Sequence, residues 1–254
     1  MTEPLLVAAP LMIAAIVMAV RFVGCGIDSD PLPGYGDTTG DGPGDDNPKP
    51  VKVTAFFTGN GNFSATAGFP GNNAETKPYG GAGMYSFSIP YWCDTIDLLL
   101  LGAGGGGTYA EFTPSGGAGG GAGGWKAITV QRGSDIPWAT TTINITVGQG
   151  GAGGSLATPT GGAGGDTTAS WDTSAGTTTE TASGGAGGAN LSGPTGESPG
   201  MNSVGEAVLT AGVEQPTIGA VGNPPGGGGA GSDGLQAGGA GADGAAVVVA
   251  RQQN

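Results

Sequence analysis

Residues 95–107 read TIDLLLLGAGGGG, in which a run of large aliphatic side chains passes directly into glycine. The continuous apolar stretch Ile96 to Leu101 is typical of a central strand that is buried on both faces. The glycines that follow have no side chains with which to build a core. The stretch therefore predicts a buried strand that leads into a glycine-rich segment.

Other short apolar stretches recur along the chain and predict further strands. Thr142 to Val147 alternates polar and apolar residues with a period of two, as a half-buried strand does. The full set of predicted strands is Val51 to Phe57, Tyr85 to Pro90, Ile96 to Leu101, Ala127 to Gln131, Thr140 to Val147 and Ala245 to Ala250. Together they predict a mostly β fold, a small β-sandwich with long glycine-rich loops or polyglycine-II-like segments.

Blocks of glycine, usually interrupted by a single alanine, lie between and after these strands. They are Gly102 to Gly107, Gly116 to Gly124, Gly148 to Gly154, Gly161 to Gly165, Gly184 to Gly188, Gly226 to Gly231 and Gly238 to Gly241. A strict Gly-X-Y period is missing along the chain, which excludes a collagen triple helix. The blocks suit either extended polyglycine-II-like segments that pack side by side or flexible linkers.

The composition limits what can hold the chain together. Glycine supplies 58 of the 254 residues and proline 18, which is typical of low-complexity sequence. Large apolar side chains are too scarce beyond the first residues for a conventional core of this length to offset the entropy of ordering. The chain is therefore either disordered or held by dense backbone hydrogen bonding within and between subunits.

Several function classes are disfavoured by the charged and reactive residues. The formal charge is −13, with seven Lys and Arg residues, which argues against nucleic-acid binding. Histidine is absent, so the commonest general base and metal ligand is missing. Cys25 and Cys93 match no zinc or redox spacing and are expected to stay unpaired. The sequence predicts a protein that is not an enzyme and needs no cofactor or metal.

The amino-terminal region divides into two parts before the glycine-rich β domain of residues 51–254. Residues 1–27 contain an apolar run that is short for a membrane span and is expected to be a buried assembly anchor around Ile13, Ile16 and Val20. Residues 28–50 form an acidic Gly/Pro linker. Phe22 to Cys25 also resembles a lipoprotein cleavage box, so export as a lipoprotein stays open.

The few aromatic residues separate into two groups by their neighbours. Tyr91, Trp125 and Trp138 lie at strand edges beside glycine or proline, and they are expected to pack on backbone. Trp171 lies in the polar stretch from Asp166 to Thr181. It is the candidate for an exposed residue that contacts a surface.

Several ordered motifs resemble the glycine-rich domain of phage minor tail proteins. They are YSFSIP at 85–90, TIDLLLLGAGGGG at 95–107, GGWKAITVQRG at 123–133, DIPW at 135–138, ITVGQGGAGG at 145–154 and GADGAAVVV at 241–249. The likeness covers roughly residues 80 to 250 and is greatest to minor tail proteins of long-tailed phages that infect actinobacteria. It implies a virion protein at the tail tip, trimeric and exposed to the host envelope, without catalytic residues.

The expected function is that of a structural protein of a phage tail tip or fibre, which contributes to assembly and to host-surface adhesion. Its expected partners are copies of itself in a homotrimer, other phage tail proteins and a component of the host cell envelope. Two other classes stay open, a secreted glycine-rich bacterial surface protein or lipoprotein and a disordered spacer.

Overall fold

The computed structural model describes residues 82–91, 93–111, 116–189 and 195–251, and the backbone alone of the strands at 53–58, 63–67 and 75–79. All of these residues belong to one compact unit that begins at Pro48. The anchor around Ile13, Ile16 and Val20, the linker and Cys25 lie outside the described residues.

The described residues contain strands and no helix, so the predicted mostly β class is confirmed. The strands are β1 (Val53–Thr58), β2 (Phe63–Ala67), β3 (Glu75–Tyr79), β4 (Gly83–Ser88), β5 (Thr95–Leu101), β6 (Trp125–Gln131), β7 (Thr142–Val147), β8 (Thr167–Thr173), β9 (Gly176–Ala182), β10 (Met201–Val204), β11 (Ala207–Thr210) and β12 (Ala245–Arg251).

Two four-stranded antiparallel sheets carry the large side chains. Sheet I has the order β1-β12-β5-β6, and sheet II has the order β4-β7-β8-β9. In sheet I, Leu98 lies between Val248 on β12 and Ile128 on β6. Two antiparallel hairpins, β2–β3 and β10–β11, complete the described strands.

Strand β5 is buried along its whole length because both of its faces are covered. Ile96, Leu98 and Leu100 share one hydrophobic cluster with side chains of sheet II, including Ile143 and Ile145. Leu99 and Leu101 belong to a second cluster with Leu209 of the β10–β11 hairpin. This double burial explains why β5 reads as an unbroken apolar run.

Strand β7 is covered on one face only. Its residues alternate between exposed and buried, and Ile143, Ile145 and Val147 point to the core. The alternation read from the sequence is therefore confirmed. The predicted sandwich stays an interpretation, which the hydrophobic cluster common to sheets I and II supports.

Polar strands are the elements that the sequence did not reveal. The stretch from Asp166 to Thr181 contains most of the β8–β9 hairpin, in which Trp171 pairs with Thr178. Threonine is β-branched and favours strands even when it is exposed. Searching for apolar runs alone overlooks such hairpins.

Candidate functional site: the glycine bundle and its distal loops

Seven glycine-rich segments lie side by side and form what we call the glycine bundle. They are residues 102–108, 116–124, 148–154, 161–165, 183–188, 226–232 and 238–244. Six of them continue a strand of sheet I or sheet II, since five directly follow or precede one and segment 161–165 is separated from β8 by Asp166 alone. The bundle therefore extends the two sheets, and it is held together by backbone hydrogen bonds instead of packed side chains.

Segment 102–108 occupies the centre of the bundle and is buried throughout. Its successive amides donate to three different neighbours in turn. Gly104 donates to Ala242, Gly105 to Gly121 and Gly106 to Gly162, at 2.8 to 2.9 Å. Three residues further on, Gly107 and Thr108 donate to the first two of these segments again, and three residues before Gly106 the amide of Ala103 donates to Gly165 of the third. This repeat of three residues is that of a polyglycine-II-like segment, whose backbone has three residues per turn.

The carbonyl oxygens of the central segment accept from three further segments. The oxygen of Gly104 accepts from Gly151, that of Gly105 from Gly229 and that of Gly106 from Gly188. The six surrounding segments also bond to one another, so that they close a ring around residues 102–108. Such a ring satisfies the central backbone groups without any apolar core.

Close approach of the segments requires glycine at the centre. A Cβ placed on Gly105 would overlap the carbonyl oxygen of Ala186, and one on Gly106 would overlap that of Ala152. Only a residue without a Cβ permits this spacing of neighbouring backbones.

In three of the outer blocks, residues 148–154, 161–165 and 183–188, the alanine that interrupts the glycines points outward. Ala152, Ala163 and Ala186 are exposed, whereas Gly151, Gly154, Gly185 and Gly188 are buried. These blocks thus follow a local Gly-Gly-x rule in which x faces solvent. The rule is limited to these three blocks, because Ala118, Ala230 and Ala242 in the other outer blocks are buried.

At the end of the bundle remote from the sheets, the described residues include three loop stretches, which we call the distal loops: residues 109–111, 155–160 and 233–237. The amide of Tyr109 donates to the carbonyl of Pro159 at 2.8 Å, and its hydroxyl donates to that of Gly234 at 3.3 Å. The amide of Ala110 donates to Ser232 Oγ at 2.9 Å. The loops are therefore linked to each other as well as to the bundle.

Two large apolar side chains project from the distal loops. Leu156 is 68% exposed and Leu235 is 80% exposed. Single exposed leucines are common on protein surfaces. Here the two belong to neighbouring loops that Tyr109 connects, at the end of a bundle whose seven-residue segments span about 20 Å at roughly 3.1 Å per residue.

The structure corrects the expectation for Trp171. Its side chain is 3% exposed, lies in the cluster between the two sheets and donates from Nε1 to the carbonyl of Asp135 at 3.3 Å. Trp171 faces inward because residues of β8 alternate in direction, so its polar neighbours in sequence point the other way. The prediction that it is exposed is wrong, and it takes no part in the distal loops.

The other aromatic residues behave differently from one another. Trp125 donates from Nε1 to the carbonyl of Pro199 at 2.8 Å. The ring of Trp138 lies beside Gly133 and under the guanidinium of Arg132, 5.0 Å from its centroid. The hydrogen bond of Trp125 and the approach of Trp138 to Gly133 agree with packing on backbone, but the side chain of Trp138 is 57% exposed. Tyr91 is 89% exposed, which contradicts that expectation.

A charge cluster around the buried carboxylate of Asp97 joins strand β12 to its neighbours in sheet I. The carboxylate of Asp97 on β5 accepts from Arg251 Nε at 2.8 Å, from Thr129 Oγ1 at 2.6 Å and from the amide of Glu206 at 2.9 Å. Burial by itself raises the pKa of Asp97, but these hydrogen bonds outweigh it and hold the pKa below its ordinary value. The cluster joins β5, β6, β12 and the turn of the β10–β11 hairpin.

The described residues include one cysteine, whose thiol lies inside the fold. Cys93 is free and buried, and burial raises the pKa of its thiol in spite of the nearby Arg132, which makes it a weak nucleophile. Among the described residues, no group of His, Cys, Asp and Glu could hold a metal ion. No helix in the described part of the chain is long and apolar enough to cross a membrane.

Comparison with known proteins identifies the class to which this fold belongs. The glycine-rich domain family matches residues 80–251, which comprise both sheets except β1 and the whole glycine bundle. The chain belongs to the glycine-rich domain family.

Two curated relatives carry the same description and come from phages of mycobacteria. The Gene 32 protein of Mycobacterium phage D29 is 39% identical over 169 residues, which are 64% of this chain and 74% of that protein. The Gene 32 protein of Mycobacterium phage L5 is 41% identical over 145 residues, 55% of this chain and 64% of that protein. These relatives support the interpretation that this chain is a phage-associated glycine-rich protein.

Proposed function

We propose that this chain is a structural virion protein of a phage tail tip or tail fibre, without catalytic activity, that contributes to host-surface adhesion through its distal loops. The observation that carries the proposal is the convergence of three linked loops at one end of a backbone-bonded bundle. The phage origin of the two relatives supports it. In this arrangement the sheets and the bundle act as a rigid support, and the loops make the contact.

The distal leucines provide the test of adhesion. Replacing Leu156 and Leu235 together with serine removes exposed apolar surface and leaves the bundle bonds in place. We expect binding of the purified, fluorescently labelled chain to actinobacterial host cells to fall about tenfold, which corresponds to about 1.4 kcal/mol. Unchanged binding by the double variant would overturn the role of the loops.

A matched control lies on another face of the molecule. Val208 on β11 is exposed to a similar degree as Leu156, at 53%. Val208→Ser removes exposed apolar surface away from the distal loops and should leave cell binding unchanged. If it weakens binding as much as the leucine changes, the contact surface lies elsewhere.

The amino-terminal anchor and the subunit number belong to the same proposal. We propose that residues around Ile13, Ile16 and Val20 attach the chain to copies of itself in a homotrimer and to other tail proteins. Virions that carry Ile13→Asp and Ile16→Asp should lack the chain when their proteins are identified by mass spectrometry. Sedimentation of the full-length chain as a folded monomer would contradict the trimer.

A secreted glycine-rich bacterial surface protein or lipoprotein is the alternative, motivated by Phe22 to Cys25. Mass spectrometry of purified virions and of the bacterial envelope separates the two. Peptides of the chain in the virion fraction support the tail protein, whereas a lipidated Cys25 in the envelope supports the alternative.

A further inference from the structure

A groove runs along one side of the glycine bundle, between segment 116–124 and segment 183–188. Its volume is about 540 Å³, and Glu197 lies at its edge. The side chains that line it are small, apart from Glu197, so backbone groups form most of its surface. Its position next to the bundle is the position that one more segment would occupy.

The groove presents hydrogen-bonding groups that the bundle does not use. Within the described part of the chain, the carbonyl oxygens of Gly119 and Ala122 accept no hydrogen bond, and the amides of Ala186 and Gly187 donate none. The amide of Ala122 reaches only the Glu197 carboxylate, at 3.3 Å. These groups lie on the sides of the two segments that face away from the central segment.

The bundle itself shows what such groups bind. The segments around residues 102–108 are extended glycine-rich chains whose backbone groups bond to neighbouring segments, mostly at intervals of three residues. A chain with a Cβ at each position would not fit, since Cβ atoms overlap neighbouring carbonyl groups throughout the bundle. The matching occupant is therefore a Gly-Gly-x segment with x directed outward.

We propose that this groove binds an extended Gly-Gly-x segment of a different protein chain, through backbone hydrogen bonds to the 116–124 and 183–188 segments. A second folded copy is a poor donor, because the Gly-Gly-x blocks of this chain are already bonded inside its own bundle. Glu197 favours an occupant that is neutral or cationic at that end. The proposal does not depend on the tail-tip assignment.

A peptide titration tests the groove in the full-length chain. The probe is a capped peptide of three Gly-Gly-Ala repeats with a terminal lysine, and its control replaces the second glycine of each repeat with valine. In amide NMR spectra, the glycine peptide should shift the signals of Gly119, Ala122, Ala186 and Gly187. The valine peptide should leave them unchanged because its side chains cannot enter the groove.

Two variants, at alanines that have the same local sequence, show whether the peptide binds in the groove. Ala186 and Ala163 are both exposed and both lie at the centre of a Gly-Gly-Ala-Gly-Gly block, but only Ala186 lines the groove. Ala186→Leu should weaken binding at least about tenfold, whereas Ala163→Leu should leave the dissociation constant unchanged.

Three results would overturn the proposal. They are a lack of shifts at millimolar peptide, equal weakening by both leucine variants, and a groove already covered by a second copy, detected as a dimer in which the same amides are protected from exchange.

Discussion

The two sheets and the glycine bundle are continuous in the chain, yet they are held together by different forces. In sheet I, the stability comes from large aliphatic side chains such as Leu98 and Val248, which are completely buried. In the bundle, the central residues have almost no side-chain atoms, and every amide of residues 102–108 donates to another segment. A strand and a bundle segment can therefore share one chain only if large side chains stop where the sheet ends, as they do at Leu101.

This difference predicts opposite responses to added bulk. In a sheet, an extra methyl group on a glycine fills space or adds strand propensity, whereas in the bundle it separates two backbones. The two regions should therefore respond to the same substitution with opposite signs.

The largest effect is expected from Gly105→Ala in the central segment. The added Cβ would overlap the Ala186 carbonyl and force apart the segments that Gly105 joins through its bonds to Gly121 and Gly229. We expect a loss of about 3 kcal/mol or more in the free energy of unfolding, at the upper end of overpacking costs. Urea denaturation followed by fluorescence measures it.

Gly83→Ala is the matched control in a sheet. Gly83 begins β4, and the nearest atom to its added Cβ would be Tyr85 Oη at 3.9 Å. Because alanine restricts the unfolded chain and suits a strand better, this variant should gain about 0.5 to 1 kcal/mol. Equal destabilisation at both sites would show that the bundle is no more tightly packed than the sheets.

The buried charge cluster gives the next largest effect, and it concerns sheet I alone. Asp97→Asn leaves Arg251 without its carboxylate partner, and removal of one partner of a buried pair costs about 3 to 5 kcal/mol. Thr129 Oγ1 and the Glu206 amide bond to different oxygens of the Asp97 carboxylate. The one amide oxygen of the variant can keep the Glu206 bond, and the Thr129 hydroxyl can accept from the amide nitrogen, which favours the lower end of this range. Lys126–Glu180 is a more exposed pair at 2.7 Å, so Glu180→Gln should cost at most about 1 kcal/mol.

The same cluster gives a pH dependence with a defined sign. The pKa of Asp97 is lower in the folded chain than its ordinary value of 3.8, so the unfolded chain takes up this proton first as the pH falls. The contribution of Asp97 is fully present well above pH 3.8 and is lost below it, as the pH passes through the lower folded value. Stability profiles of the native chain and of Asp97→Asn should converge in that acidic range, and parallel profiles would contradict the role of the carboxylate.

The sequence predicted the sheets better than the bundle, for physical reasons. Strands β5, β7 and β12 can be recognised in the sequence because the pattern of their apolar side chains follows the burial of their faces. The β8–β9 hairpin cannot, because most of its threonines are at least partly exposed and its hydrophobic residues in the core are only Ala169, Trp171 and Ala182. The sequence predicted that Trp171 is exposed because its neighbours in sequence are polar, but those neighbours lie on the opposite face of the strand.

For the bundle, the sequence left two readings open because glycine carries no side-chain signal. Polyglycine-II-like segments and flexible linkers have the same composition, and the choice depends on which segments lie side by side. The distal loops could not be predicted at all, since residues 109–111, 155–160 and 233–237 meet only after the bundle has formed. What the sequence does contain is the Gly-Gly-x rule of single blocks, such as 161–165, from which the outward direction of x can be read.

The smallest effect is expected at such an outward position, and it tests that rule within one block. Ala163 is exposed, while its neighbour Gly164 lies against the carbonyl of Ala103 in the central segment. Ala163→Ser adds one hydroxyl in solvent and should change stability by no more than about 0.5 kcal/mol. Gly164→Ala adds one methyl group against backbone and should approach the cost of Gly105→Ala. Because the two residues are adjacent and both changes add a single heavy atom, differences in propensity or in the unfolded chain cannot account for a large gap between them. A gap measured by urea denaturation therefore reports the direction in which each residue faces, and equal effects would mean that the block is a flexible linker without fixed neighbours.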